Sequence, residues 1–258
     1  MWKMSQLLGM ESPMLVLMAI LGIVLLRYLL IAGGAYLVMY HLCRKKLSVR
    51  KIQGKYPSEE DIKRELSLSF STVLIYTLVI WLLFFTPVKN WTQIVDSDES
   101  IGAMSFMIKL LLMLGIHDLY FYLTHRLLHH PKLYSRFHLA HHRSSNPTPL
   151  ASLAFHPVEA FVQIGIVILL VFIMPVSFES IVLFGLINFL HNVYGHSGYE
   201  ILPRRLLASV HARWFCNSTF HNLHHEKYTN NFGLYSRIWD SALGTTHAED
   251  SQKRARFY

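Results

Sequence analysis

Residues 101–130 read IGAMSFMIKLLLMLGIHDLYFYLTHRLLHH. The stretch from Ile101 to Leu123 is nearly uncharged and meets the length of about 20 apolar residues that a helix needs to cross about 30 Å of hydrocarbon. It continues without a break into His125, His129 and His130. A hydrophobic helix that ends in imidazoles therefore frames the rest of the reading. Outward from it lie four more apolar runs, Met14–Tyr40, Phe70–Phe85, Ala160–Met174 and Phe178–Leu190. The first is long enough to cross, and the second is so with its flanks. The last two are short and joined by the tight Pro175-Val-Ser177 turn, so they are expected to form a helical hairpin that crosses and returns. The expected fold is all-α: a polytopic membrane helical bundle of about four to five transmembrane helices with a cytoplasmic histidine-rich di-metal cap. Residues 1–100 are expected to hold the N-terminal transmembrane helices and a basic loop, and 101–258 a second, histidine-bearing domain.

Composition agrees with a membrane chain. Of 258 residues, 52% are apolar and 16% charged, with a mean hydropathy of +0.31. Charge this far below the usual quarter excludes disorder and nucleic-acid tails. Two cysteines, Cys43 and Cys216, exclude a disulfide scaffold and thiolate metal sites. The net charge of +8 is not spread evenly, since 20 of the 24 basic residues fall in 44–64, 125–158 and 204–256. Five crossings put those three segments on one side, which the positive-inside rule makes cytoplasmic. The charge thus faces anionic headgroups rather than DNA. The first run is too long for a cleavable signal peptide and no small-residue cleavage site follows it. Arg27 and Lys109 interrupt apolar runs, where ionisable groups are expensive and demand an explanation.

The 16 histidines cluster on the same side. His125-Arg-Leu-Leu-His129-His130 is followed by His138-Leu-Ala-His141-His142 and, much later, by His221-Asn-Leu-His224-His225. Helix positions three and four apart share a face, with Cβ atoms about 5–6 Å apart. His125 therefore projects with His129, His138 with His141 and His142, and His221 with His224 and His225. Imidazole suits iron, zinc and copper. So many rings exceed one four-coordinate zinc and fit two metals about 3.5–4 Å apart, bridged by an oxygen species. A hydrolytic zinc site would need a general base of the H-E-x-x-H kind, which is absent here. His191 and His196, near the end of the fifth run, are expected as further ligands because histidines that deep are costly without partners. His117 is expected behind the ligands, and Asp118 is expected to orient one by accepting its second N–H. His41 and His247 lack partners at helical spacing, and His211 stays open between ligand and surface residue.

These motifs resemble the eight-histidine signature of the fatty acid hydroxylase / sterol desaturase superfamily of integral-membrane non-haem di-iron enzymes. The resemblance covers about Asp118 to Thr245. Asp118-Leu-Tyr-Phe-Tyr before His125-Arg126 is similar to the family's lead-in to its first box. Asn146-Pro-Thr-Pro-Leu-Ala-Ser-Leu-Ala-Phe-His156-Pro is similar to the segment after the second box in sterol C-5 desaturases, as is Ile238-Trp-Asp-Ser-Ala-Leu-Gly-Thr245 to their closing element. By contrast, His196-Ser-Gly-Tyr looks more like methyl-sterol oxidases and sterol hydroxylases. The first-box ligand is either His129 or His130. The resemblance implies metal ligation by His125, His129, His138, His141, His142, His221, His224 and His225, with His191 and His196 added. It also points to Asp118 and His156 as catalytic. The implied activity is O2-dependent desaturation or hydroxylation of a lipid, with a sterol or sterol-like lipid as the expected substrate, at two iron ions (Fe2+/Fe3+), with zinc able to replace them. A fatty acyl or alkylglycerol hydroxylase is the alternative. A membrane metal transporter is disfavoured because its ligands would lie near the midplane in broken helices. A separate electron donor is expected, a b-type cytochrome or a ferredoxin with an NAD(P)H reductase, in a bacterial inner membrane or the endoplasmic reticulum.

Overall fold

The computed structural model describes residues 12–97 and 102–257. Helix α1 (Pro13–Leu42), α2 (Glu59–Phe85) and α3 (Gly102–Leu128) are each long and apolar enough to cross a membrane. Helix α4 (Pro157–Ile173) and α5 (Phe178–Gly195) form the expected hairpin. Helix α6 (Ser218–Lys227) carries the last histidine triplet. Among the described residues there is no β-sheet, only isolated bridges. The fold is thus the expected helical membrane bundle, and the division expected between residues 100 and 101 lies outside the described residues.

Local sequence sets the helix ends. Ser58 and Asp61 close a reciprocal capping box at the start of α2. The α4 start has Pro157 at its first position and His156 Nδ1 accepting the Val158 N–H at 3.2 Å. Ser177 Oγ accepts the Ser180 N–H at 3.1 Å and starts α5. Asn217 Oδ1 accepts the Phe220 N–H at 2.9 Å and starts α6. Tyr228, at φ +49°, stops α6 in the left-handed region.

At 17 and 18 residues, α4 and α5 are each about 26 Å long, just short of a full crossing. The hairpin nonetheless reaches the far end of the layer. Near its tip Val171 and Val176 accept main-chain hydrogen bonds from Gln93 and Val95, which lie beyond the far end of α2. One core joins Val79 and Phe84 of α2 to Met113 of α3, Leu170 of α4 and Phe184 of α5. A second joins Val24 and Tyr28 of α1 to Val73 of α2, Leu153 and Phe189. Where lipid is as apolar as leucine, close packing and interhelical hydrogen bonds decide the arrangement. Tyr28 Oη and Ser69 Oγ both donate to Leu150 O at 2.9 Å, tying α1 and α2 to the 150–155 turn. Leu30, Phe70, Leu74, Met107, Leu111 and Leu123 face outward as a lipid-exposed belt.

Candidate metal centre

The histidines meet at the end of the bundle opposite the hairpin tip. They come from the C-terminal turn of α3, the segment 134–142, the C-terminus of α5, and α6. Five side chains, His125, His129, His138, His142 and His224, form one group; four, His141, His196, His221 and His225, form a second. Within each group the ligating nitrogens lie within 4.8 Å of one another. Boxes two and three split by spacing, whereas His125 and His129 of the first box stay in one group. The pairs at i, i+4 (125/129, 138/142, 221/225) stay together, whereas His141 and His224, one position from the end of their triplets, cross to the other group. Boxes two and three thus reciprocate, and neither group is complete without both.

Main-chain carbonyls set the ring tautomers. Nδ1 of His125, His141, His196, His224 and His225 donates to the carbonyls of Phe232 (2.9 Å), Ala154 (3.2 Å), Asn192 (2.8 Å), Asn230 (2.6 Å) and Ser144 (3.0 Å). A carbonyl accepts only, so the proton is on Nδ1 and Nε2 carries a lone pair. Those lone pairs face one another. His196 Nε2 stands 3.3 Å from His141 Nε2, 3.1 Å from His221 Nε2 and 3.2 Å from His225 Nε2. His142 Nε2 is 3.1 Å from His138 Nε2 and 3.2 Å from His224 Nε2. His129 Nε2 is buried with no hydrogen-bond partner.

Such an arrangement is repulsive unless a cation sits between the rings. Metal–nitrogen bonds of about 2.0–2.1 Å in four- to six-coordinate geometry space neighbouring donors by about 3.0–3.4 Å, the spacing seen here. Protonation is no substitute. Burial drives the pKa of His138, His141, His142, His221, His224 and His225 well below the usual 6.5, that of His129 also far down, and that of His196 to about 4. The donor set therefore fits two metal ions held by neutral imidazoles.

Several expected residues stand elsewhere. His191 belongs to neither group, because its Nε2 is engaged by Leu234 O at 2.7 Å. The separation of five that puts His191 and His196 on different faces of α5 leaves only the second aimed at the rings. His130 is turned away, its Nδ1 accepting the Lys132 N–H at 3.3 Å. His156 is the α4 cap and does not reach the cluster. Asp118 does not accept an imidazole proton. Its carboxylate accepts instead from Tyr235 N (2.8 Å), Ser236 N (3.1 Å), Ser236 Oγ (2.5 Å) and Trp239 Nε1 (3.1 Å). It acts one step removed: the clamped chain continues from 230–234, whose carbonyls orient His125 and His224. Asp240 holds that loop from the other side through Phe232 N, Gly233 N and Thr245 Oγ1. His117 is likewise behind the cluster, 3.0 Å from Tyr235 Oη. His211 is exposed, and His41 and His247 are in neither group.

A profile of the fatty acid hydroxylase family matches residues 110–245, just over half of the chain. The chain belongs to this family. Among curated proteins it is similar to the Delta(7)-sterol 5(6)-desaturase ERG3B of Gibberella zeae, 28% identical over 74% of this chain and 57% of that protein. Similarity to human lathosterol oxidase is 26%, over 74% of this chain and 64% of that protein. Protein CER1-like 2 of Arabidopsis thaliana is 27% identical over 76% of this chain and 32% of that protein. The chain thus spans only about three-fifths of the length of the two sterol-directed relatives. No solved structure matches. The matched region contains every histidine of both groups, so the family domain and the imidazole centre coincide.

Two features of this family member escape a reading by motif. Glu159, wholly buried in the first turn of α4, places Oε1 2.8 Å from His138 Nδ1. A lone glutamate opening an apolar run was its only sequence signal. Gly198, at φ +72°, turns the chain two residues after His196, where a Cβ would stand 2.5 Å from Tyr40 Oη and 3.0 Å from Pro147 O. That close approach lets Lys51 Nζ bridge Gly198 O, Asn146 Oδ1 and Tyr40 Oη at 3.2–3.3 Å beneath the centre.

Proposed function

We propose that this chain is a multi-pass membrane oxidoreductase, a non-haem di-iron enzyme that uses O2 to desaturate or hydroxylate an unactivated C–H bond of a lipid, with a sterol or sterol-like lipid as the favoured substrate. The observation that carries the reading is the set of nine imidazoles, eight buried and His129 half-buried, whose ring nitrogens converge in two groups within a fatty acid hydroxylase domain. His125, His129, His138, His142 and His224 would hold one iron, and His141, His196, His221 and His225 the other. When bound, the irons supply the redox chemistry that couples dioxygen, with electrons from a separate donor protein, to C–H oxidation.

The protein's own contribution is placement and exclusion. The carbonyls of Phe232, Asn230, Ala154, Asn192 and Ser144 keep each Nε2 deprotonated and aimed. Glu159 places a carboxyl oxygen 2.8 Å from Nδ1 of His138, behind that ring. The loop 230–236, clamped by Asp118 and Asp240, lies over the first group and keeps bulk water from it. Phe121 and Phe155 pack on His125 and His141, with ring centroids 4.8 and 5.1 Å apart, and both also line an apolar cavity between the helices. A lipid chain entering from the bilayer would meet the centre across those two rings. The basic segments favour a cytoplasmic position for the centre. Sterol preference is supported by the relatives named for sterol substrates, while the CER1-like relative keeps a non-sterol lipid as the second reading.

The test is to compare lipid extracts of cells with and without the gene by accurate mass, alongside the metal content of the purified protein. A product lighter by two hydrogens or heavier by one oxygen, made by iron-loaded protein, is expected. Full iron occupancy with no lipid changed in either way would overturn the reading.

A further inference from the structure

Arg27 is a cation half-way along the first membrane-crossing helix. No carboxylate lines its surroundings. A cavity of about 200 Å³ lies between the five helices α1 to α5, walled by apolar side chains apart from Arg27, Tyr76, His117, Gln163, Asn188 and Asn192. Among the described residues the Arg27 side chain makes no hydrogen bond or ion pair. Its guanidinium carbon lies 5.2 Å from the centroid of the Phe189 ring, and a Cβ on Gly185 would stand 3.6 Å from Nη1. The absent side chain at Gly185 thus leaves the space beside the guanidinium open.

A guanidinium has five N–H donors, and a donor without a partner is costly at membrane depth. One cation–π contact offsets only a small part of that cost. The cavity offers no anion to complete the account. We propose that Arg27 receives the oxygen-bearing end of the lipid that occupies this cavity, a carboxylate or hydroxyl oxygen accepting from Nη1 beside Gly185. The inference deepens the oxidase reading by describing its substrate, and rests on that reading only for what happens at the other end.

That other end has a position. Gly185, Phe189 and Asn192 follow one another along one face of α5. Asn192 also lines the cavity, and its carbonyl holds His196 at 2.8 Å. Seven residues of helix separate Gly185 from Asn192, about 10 Å at 1.5 Å per residue. An oxygen held by Arg27 therefore lies about 10 Å from the cavity end nearest the imidazoles. The substrate so described is an amphiphile whose polar oxygen is remote from the carbon presented to the centre, with an apolar body filling the space between.

The experiment measures equilibrium binding of four radiolabelled probes to the full chain in detergent: hexadecanoate, cholesterol, and the oxygen-free hexadecane and cholestane. In the wild type, at least one oxygenated probe should bind ten-fold or more tighter than its hydrocarbon. Arg27→Met should close that gap, leave hydrocarbon binding unchanged and melt no lower than the wild type, since it removes a charge from hydrocarbon. If Arg27→Met fails to assemble, Arg27→Gln should narrow the same gap. A gap confined to hexadecanoate identifies an anionic head, and one for cholesterol a neutral hydroxyl. No gap in the wild type, or a gap that survives both variants, overturns the proposal. Because no turnover is needed, the two readings fail separately. Discrimination by Arg27 without any oxidised lipid would sink the oxidase reading alone, and oxidised lipid without discrimination would sink this one alone.

Discussion

Glu159 and His138 are both fully enclosed, and Oε1 of one lies 2.8 Å from Nδ1 of the other. Each depends on this contact. Among the described residues, neither Glu159 oxygen, nor Nδ1 of His138 or of His142 beside the pair, makes a hydrogen bond. A carboxylate behind a ligating histidine fixes the ring and raises its basicity, and losing one typically weakens metal binding 10–100-fold.

Replacing Glu159 with glutamine should therefore lower the affinity of the five-imidazole group by about 10–100-fold while the second group keeps its metal. Chelator competition on the purified variant reads this as one tight and one weakened ion. Two ions released together, at wild-type affinity, would contradict the role given to Glu159.

Partition of the histidines gives a second prediction. His196→Ala should leave about one metal ion per chain and abolish product formation, because the four-imidazole group would retain three donors. His130→Ala and His156→Ala should bind two ions and stay active, since one caps a turn and the other a helix. Elemental analysis and product yield check all three. Loss of metal in His156→Ala would place that residue in the centre after all.

His191→Ala should also keep both ions, yet lose about 1–3 kcal/mol of stability by leaving the Leu234 carbonyl buried and unbonded. Thermal or denaturant melts at fixed metal content give this figure. A metal deficit without a stability loss would instead make His191 a ligand.

Asp118→Asn should preserve the shape and break the clamp. Asparagine still accepts from Tyr235 and Ser236 N–H, but its amide nitrogen then confronts the Trp239 indole N–H, donor against donor. A loss of about 2–4 kcal/mol and faster proteolysis within 230–240 are expected. Wild-type resistance there would show that the segment is held by something other than Asp118.

The metal-free chain should be acid-sensitive. Burial holds the cluster imidazoles neutral when folded, with pKa values below the 6.5 of the unfolded chain and about 4 for His196. The unfolded chain then binds more protons between those values, so stability is full above pH 6.5 and declines as pH falls through that window. His196 alone accounts for about 3 kcal/mol by pH 4. Melts of chelated protein from pH 7.5 to pH 5 measure the effect, and a flat profile would mean that the rings are hydrated rather than buried.

The amino-acid order alone was enough for the bundle, the hairpin at Pro175 and the convergence of three histidine boxes, because hydrophobic run length and the three-to-four residue spacing are local quantities. It was not enough to decide between His129 and His130, to separate His196 from His191, or to divide the rings five and four. Those choices depend on which carbonyl meets each Nδ1, and the carbonyls come from residues as distant as Phe232 from His125. Asp118 shows the same limit: it stands beside the first box in sequence, yet in space it grips the 235–239 segment. Arg27 is the reverse case, visible as a charge out of place but without meaning until α5 set Gly185 and Phe189 against it. Spacing along a helix is written in the chain, whereas the partner of a buried polar atom is settled only when separate segments pack and leave it no water to bind.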